Sequence, residues 1–194
     1  QSLRQPLESG EVTVARARGS VRYPARFLLV LAANPCPCGM HGVAGAECRC
    51  DAVKVRRYQD RLSGPIMDRI DLRHHMTGVN RVLADLGESA PEPSSTVLQR
   101  VLEARDRQAR RLRGTPWSTN GEIPGPYLRR HLPLPQDLGA LNNALERGQL
   151  SMRGVDKVLK VAWTLTDMSG RDVPGGREVR AALQLRLGSA RSAA

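Results

Sequence analysis

The stretch Phe27–Gly39, "FLLVLAANPCPCG", decides the fold. Phe27 to Ala33 is a continuous apolar run of strand length that ends in one polar residue, Asn34, the pattern of a strand buried on both faces of a parallel sheet. Open α/β sheets gather their ligands at the carboxyl ends of such strands, so Asn34 stands where a ligand is expected. Upstream, "EVTVARAR" (Glu11–Arg18) alternates apolar and polar positions before Gly19-Ser20 interrupts it and "VRYPARF" resumes extended character. That predicts a β-hairpin over residues 11–28, with Arg16, Arg18 and Arg22 near its tip. Before it, Leu3 and Leu7 with polar neighbours read as the tail of a helix already under way; with no initiating Met, the chain reads as a fragment.

Downstream of Asn34 come all four cysteines, as two Cys-x-Cys pairs: Cys36 and Cys38, then Cys48 and Cys50, with nine residues between the pairs. Two readings stand side by side. The four thiolates, with His41 as a possible substitute, make a tetrahedral zinc site across an insertion spanning 36–50; or they are reduced thiols in a Gly-rich loop. Cys-x-Cys is tighter than the two to four intervening residues usual in zinc sites, which weighs against the first reading. Reduced intracellular thiols argue against a structural disulfide, and no Cys-x-x-Cys is present to support redox catalysis.

At 194 residues and 40% hydrophobic, the chain can bury a core, but its one Phe, two Trp and three Tyr leave Leu, Val and Ala to build it. Helices packed on an α/β sheet suit that composition better than an aromatic-rich sandwich. No run approaches the roughly 20 apolar residues of a membrane span, and no secretory leader opens the chain, so a cytoplasmic protein is expected. The net charge of +11, carried mostly by Arg, favours a polyanionic partner and bidentate contacts to phosphate.

After the cysteines, Asp51 caps a helix whose Val53, Val55, Tyr58 and Leu62 lie near helical spacing, stopped by Gly64-Pro65. "PIMDRIDLRHHM" predicts a short helical turn and then a strand from about Asp71. In isolation Arg69, between Asp68 and Asp71, reads as a surface ion pair. Residues 79–94, rich in Gly, Pro and Ser, read as a linker. Four helical patterns follow: Ser95–Arg113, Gln136–Arg147, Ser151–Met168 and Arg177–Leu187. Ser151 caps the third, whose Val155, Leu159, Ala162 and Leu165 form one apolar stripe ending at Gly170. Arg153 lies in its first turn, where a helix amino terminus and a guanidinium together suit an anion. The run "RVLEARDRQARRLR", with six Arg between Arg100 and Arg113, reads as a solvated face laced with ion pairs. His41, His74, His75 and His131 form no catalytic pattern.

Together "LRQPLESGEV", "FLLVLAANPCPCG", "RLSGPIMDRIDL" and "LSMRGVDKVLKVAWTLTDMSG" resemble the magnesium-chelatase-like AAA+ ATPases of the competence-protein ComM (YifB) type, in their carboxy-terminal part only. The resemblance implies the fold: residues 1–78 as the C-terminal part of an AAA+ α/β core, with a pre-sensor-1 β-hairpin and the four-Cys insertion, and residues 95–194 as an all-helical lid. It also implies roles. Asn34 matches sensor 1, which orients the attacking water; Arg69 in "MDRID" matches the arginine finger; Arg153 in "SMRG" matches sensor 2. The hairpin matches an element that points towards DNA in related ring helicases. ATP and Mg²⁺ as cofactors, DNA as partner and a homo-oligomeric ring, a hexamer, follow from the same resemblance. The family's phosphate-binding loop and Walker B strand do not occur in the sequence, so the isolated chain is expected neither to bind ATP tightly nor to hydrolyse it. "DLRHHM" is more basic than the family's strand after the finger, so no role is carried to His74 or His75. Two other readings remain: the motor subunit of a magnesium chelatase, acting on protein and porphyrin, and a non-enzymatic, zinc-stabilised DNA-binding module.

Overall fold

The computed structural model describes residues 3–17, 19–61, 64–76 and 92–188. The chain divides into two compact units, Gln1–Ile70 and Asp71–Ala194.

In the first unit, α1 (Arg4–Ser9) ends at Gly10, whose φ of 69° is the left-handed cap that lets its N–H return to the Pro6 carbonyl. The predicted hairpin follows as β1 (Glu11–Arg16) and β2 (Gly19–Pro24), antiparallel and closed by the Arg16–Gly19 pair. Directly opposed residues share a face, so the register divides the side chains. Glu11, Thr13 and Ala15 lie with Ser20 and Arg22 on one face, while Val12, Val14 and Arg16 lie with Val21 and Tyr23 on the other. Gln5 Nε2 donates to Thr13 Oγ1 at 3.2 Å, which puts α1 on the Thr13 face. Arg16 sits at the tip, paired with Gly19, and Arg22 three pairs further along, so the two point to opposite faces. Arg18 lies outside the described residues.

The apolar run 27–34 departs from expectation. No strand forms there, and Leu28 and Val30 are 89% and 79% exposed. A buried parallel strand exists only through ladder partners on both sides, and among the described residues nothing pairs with this run. The same correction holds after Arg69. Residues 71–76 form no strand, and the Arg73 N–H donates instead to the Leu185 carbonyl, within the second unit, at 2.6 Å.

α2 (Ala52–Asp60) starts as predicted: the Asp51 carboxylate accepts from the Lys54 N–H at 2.7 Å, which holds its carboxyl below the usual range. Val55 is its buried residue. The single turn α3 (Gly64–Met67) precedes Arg69.

Among its described residues the second unit forms helices and no strand. α4 (Ser94–Arg111) begins inside the stretch expected to be linker, most of which falls outside the described residues. A 3-10 turn (Asn120–Glu122) and α5 (Gly125–His131) follow, then α6 (Gly139–Glu146), α7 (Met152–Ser169) and α8 (Gly176–Leu187). α7 is the axis: its Val155, Val158, Leu159, Ala162 and Trp163 meet Ile123, Leu128, Leu141, Val179 and Ala182 in one core. The ends match the sequence logic, since Ser151 Oγ accepts from the Gly154 N–H at 3.1 Å and Gly170 closes the helix in the left-handed region.

The Arg-rich face of α4 is only partly solvated. Arg110–Asp106 and Arg107–Glu103 are the expected surface pairs. Arg111, however, turns inward. Its Nη1 and Nη2 reach both carboxylate oxygens of Asp167, the second at 2.7 Å, and its guanidinium lies 4.3 Å over the Trp163 ring. Asn120 completes the network, accepting from Arg111 at 2.8 Å and donating to Asp167 at 3.0 Å.

Candidate metal centre

Pro35 and Pro37 stiffen the first Cys-x-Cys, and a chain reversal follows. The Gly39 N–H returns to the Cys36 carbonyl at 3.0 Å, with φ of 81° at Gly39, a conformation L side chains rarely adopt. Successive turns, Val43 N–H to Met40 O and Ala46 N–H to Val43 O, each 3.2 Å, then carry the chain back to Cys48. The two pairs thereby meet.

Cys36 Sγ lies 3.4 Å from Cys38 Sγ and 3.8 Å from Cys48 Sγ, which is 3.7 Å from Cys38 Sγ; all four sulfurs fall within 4.8 Å of one another. The separations among Cys36, Cys38 and Cys48 match the edges of a tetrahedron whose centre lies about 2.1–2.3 Å from each of them, against a zinc–thiolate bond of about 2.3 Å, and Cys50 completes the group within 4.8 Å. The donor set fits zinc: the four cysteines stand close enough together to hold one metal ion. His41 is not a ligand in this arrangement; its backbone N–H donates to Cys36 Sγ at 3.4 Å.

The thiols titrate as a set. The Met40 N–H, the Cys36 thiol and the Arg49 N–H hold Cys38 down to about 6. Cys36 is also lowered: its burial opposes this, but the His41 N–H and the Cys48 thiol outweigh it. Cys50 receives the Cys38 N–H, yet the Cys38 thiol, loss of water and the nearby Cys36 push it up to about 11. Cys48, bonded by the Cys50 N–H, is likewise raised by burial and by Cys38 and Cys36. Crowded sulfurs cannot all ionise without a cation, and a divalent metal is what such a set accommodates.

Asn34 sits two residues before Cys36, exposed, and Gly39 lies against its side chain, with a Cβ there falling 3.8 Å from Asn34 Cγ. Gln59 of α2 donates to the Pro35 carbonyl at 3.1 Å. Asn34 is thus joined to the metal centre on one side and tied to α2 through the next residue. Arg69 is not a solvated surface residue: its side chain is 13% exposed and pairs with the Glu8 carboxylate at the end of α1. Arg153 is exposed in the first turn of α7, beside the Ser151 cap. Asn34 and Arg69 belong to the first unit and Arg153 to the second. His74 and His75 are exposed and join no metal-binding group among the described residues.

Comparison with known proteins adds the decisive observation. Residues 1–83 match the family model described as magnesium chelatase, subunit ChlI, and residues 91–186 match the model of its C-terminal region. The chain belongs to the magnesium-chelatase-like family. It is 48% identical over 193 residues to the uncharacterised Mycobacterium tuberculosis protein Rv2897c, a match covering 98% of this chain and 37% of that protein. It is 36% identical over 190 residues to Escherichia coli YifB, covering 95% and 36%. To Haemophilus influenzae competence protein ComM it is 36% identical over 174 residues, covering 87% and 32%. The chain therefore spans about a third of the length of the curated relatives it matches. Among the described residues no helix is long and apolar enough to cross a membrane.

The Arg111–Asp167–Asn120 network is what the sequence reading missed. Its signal was present: Thr166 and Asp167 continue the buried face of α7, and an acid on an apolar face demands a cationic partner.

Proposed function

We propose that this chain is the sensor and lid portion of a ring-forming, cytoplasmic AAA+ ATPase that couples ATP hydrolysis to DNA remodelling, such as helicase or branch-migration activity. What supports the reading is the pair of ordered matches to the magnesium chelatase family, which include the blocks carrying Asn34, Arg69 and Arg153. In this reading Asn34 holds the water that attacks the γ-phosphate, accepting or donating a hydrogen bond through its amide. Arg69 of one copy neutralises charge on the phosphates bound by its neighbour, and Arg153 contacts the same nucleotide from the lid. Mg²⁺, arriving with ATP, neutralises phosphate charge. The cysteine centre holds zinc and braces the chain next to Asn34. The ring is a homo-oligomer, a hexamer by the family's example.

The test is ATP turnover by the complete protein with Arg69→Ala. A loss of about three or more orders of magnitude, the order that an arginine finger contributes, supports the finger in trans. Turnover unchanged sinks it and leaves this portion as a zinc-stabilised DNA-binding module that takes no part in the hydrolysis. The family name itself favours a second reading, a chelatase motor acting on protein and porphyrin. Affinity for branched DNA that falls steeply with salt separates the two, because only the DNA reading requires phosphate contacts.

A further inference from the structure

The chain that leaves Arg69 is anchored on the helical unit almost at once. Asp71, the second residue after Arg69, accepts a hydrogen bond from Lys157 Nζ of α7 at 2.6 Å. The Arg73 N–H donates to the Leu185 carbonyl at 2.6 Å. Leu185 lies in the last turn of α8, where a helix has carbonyls without an internal partner, so Arg73 satisfies an acceptor that α8 itself cannot. These two bonds take the place of the strand expected from Asp71. Lys157 is the more confined partner, its side chain 16% exposed against 62% for Asp71. A pair with one member in water adds little stability, but a buried lysine stem fixes where its ammonium stands. Asp71 also acts on Lys160, whose ammonium donates to the Gly121 carbonyl at 2.8 Å, so the one carboxylate answers two cations of α7. Lys157 follows Arg153 by one helical turn, and residues four apart share a face of a helix. Upstream, Glu8 of α1 pairs with the Arg69 guanidinium. Arg69 is thus held through its side chain inside the first unit, and Ile70 alone separates it along the chain from a residue bound to the helix that carries Arg153.

We propose that Asp71 and Lys157 are positioning residues that tie the segment bearing Arg69 to the Arg153 face of α7, so that the seating of this helix sets how the finger is presented to a neighbouring copy. An arginine acting on a neighbour's phosphates works through the placement of its guanidinium, and a displacement of about 1 Å costs about 100-fold in rate. One intervening residue, at roughly 3.5 Å of chain, leaves little slack between finger and anchor. The inference rests on the finger and sensor 2 roles proposed above and adds a link between them that neither role requires.

ATP turnover by the complete protein is measured for Asp71→Asn, Lys157→Met and the two together. Met keeps most of the buried stem and removes the ammonium, while Asn keeps the shape of the exposed Asp71 and removes its charge, so a loss in Asp71→Asn is not a loss of folding. Each single variant lowers kcat by at least about tenfold, within the range of a coupling between two sites. KM for ATP stays within about twofold, because Arg153 is untouched. The double variant falls no further than the weaker single, since both changes remove the same link. On the residual turnover of Arg69→Ala, Lys157→Met has no added effect, because the link acts through the finger. Wild-type turnover in both single variants while Arg69→Ala collapses overturns the link and leaves the finger standing. Losses that multiply in the double variant, or that recur in full in the Arg69→Ala background, also overturn it, as does a raised KM with kcat unchanged. Full turnover by Arg69→Ala removes the finger reading itself.

Discussion

Replacing Cys48 and Cys50 together with Ser removes two of the four sulfurs that lie within 4.8 Å of one another. Separations of 3.4, 3.7 and 3.8 Å among Cys36, Cys38 and Cys48 match a tetrahedral centre about 2.1–2.3 Å from each of these three sulfurs. The wild type, purified without added metal, should therefore carry about one zinc per chain, with an X-ray absorption shell of four sulfurs near 2.3 Å, and the double variant none. A metal that binds only the folded state stabilises it by about 4 kcal/mol at a thousandfold excess over Kd. In a unit of this size that corresponds to roughly 20 °C of melting temperature, lost on chelation. The sign with pH follows from the thiols. At pH 7.5 Cys38, held to about 6, is already a thiolate, while Cys50, pushed up to about 11, must give up its proton to the metal. Zinc binding then releases fewer than four protons per ion, measurable by calorimetry in buffers of different ionisation enthalpy, and affinity falls as pH falls, more steeply below about 6 where Cys38 also takes up a proton. Absence of metal together with an unchanged melting curve in the variant would refute the reasoning, as would a shell containing oxygen or nitrogen in place of two sulfurs.

Two further outcomes concern the helical unit. Asp167→Ala strands the inward Arg111 guanidinium and should cost about 3–5 kcal/mol, or roughly 10–20 °C by circular dichroism melting, whereas adding Arg111→Met to it should recover much of the loss; a double variant no more stable than the single contradicts this. Glu178, 5% exposed, is pulled below the usual 4.5: burial opposes the shift, but the Gly175 N–H at 2.9 Å and Arg171 overcome it. A depressed carboxyl contributes fully above its unfolded value and loses that contribution as pH falls below it, so Glu178→Gln should lower the melting temperature at neutral pH and flatten its acid dependence below 4.5.

α7 was legible because three independent signals agree over one segment: the Ser151 cap, the apolar stripe from Val155 to Ala162, and Gly170 at the end. α5 was not, because "PGP" at 124–126 reads as loop, although a proline in the first turn costs a helix nothing it had. The apolar run 27–34 carries the mark of a buried strand, but that mark describes the neighbours a segment needs and cannot supply them. Sequence spacing left the cysteines ambiguous because the distance along the chain says little about a loop folded by left-handed glycine. The hairpin's pairing was legible, yet the division of Arg16 from Arg22 was not, since faces depend on register and a single residue of slip exchanges them.

The nucleotide-contact candidates are held by separate means within separate units, and this makes their contributions separable. Asn34 is joined by one peptide to Pro35, whose carbonyl is tied to Gln59, and by two to Cys36, the buried ligand of the centre. Arg153 depends on how α7 is seated, which the Ser151 cap fixes at one end and the Asp167 network at the other. Removing the proposed zinc should then slow the chemical step by loosening the residue proposed to hold the attacking water, with nucleotide affinity little changed. Loss of the Asp167 network, at a temperature where the unit is still folded, should instead weaken nucleotide affinity through Arg153. A metal-free protein with lowered affinity and normal turnover would mean that the cysteine centre supports something other than Asn34, because among the described residues of the first unit the Asn34–Cys36 link is the direct connection to the proposed chemistry.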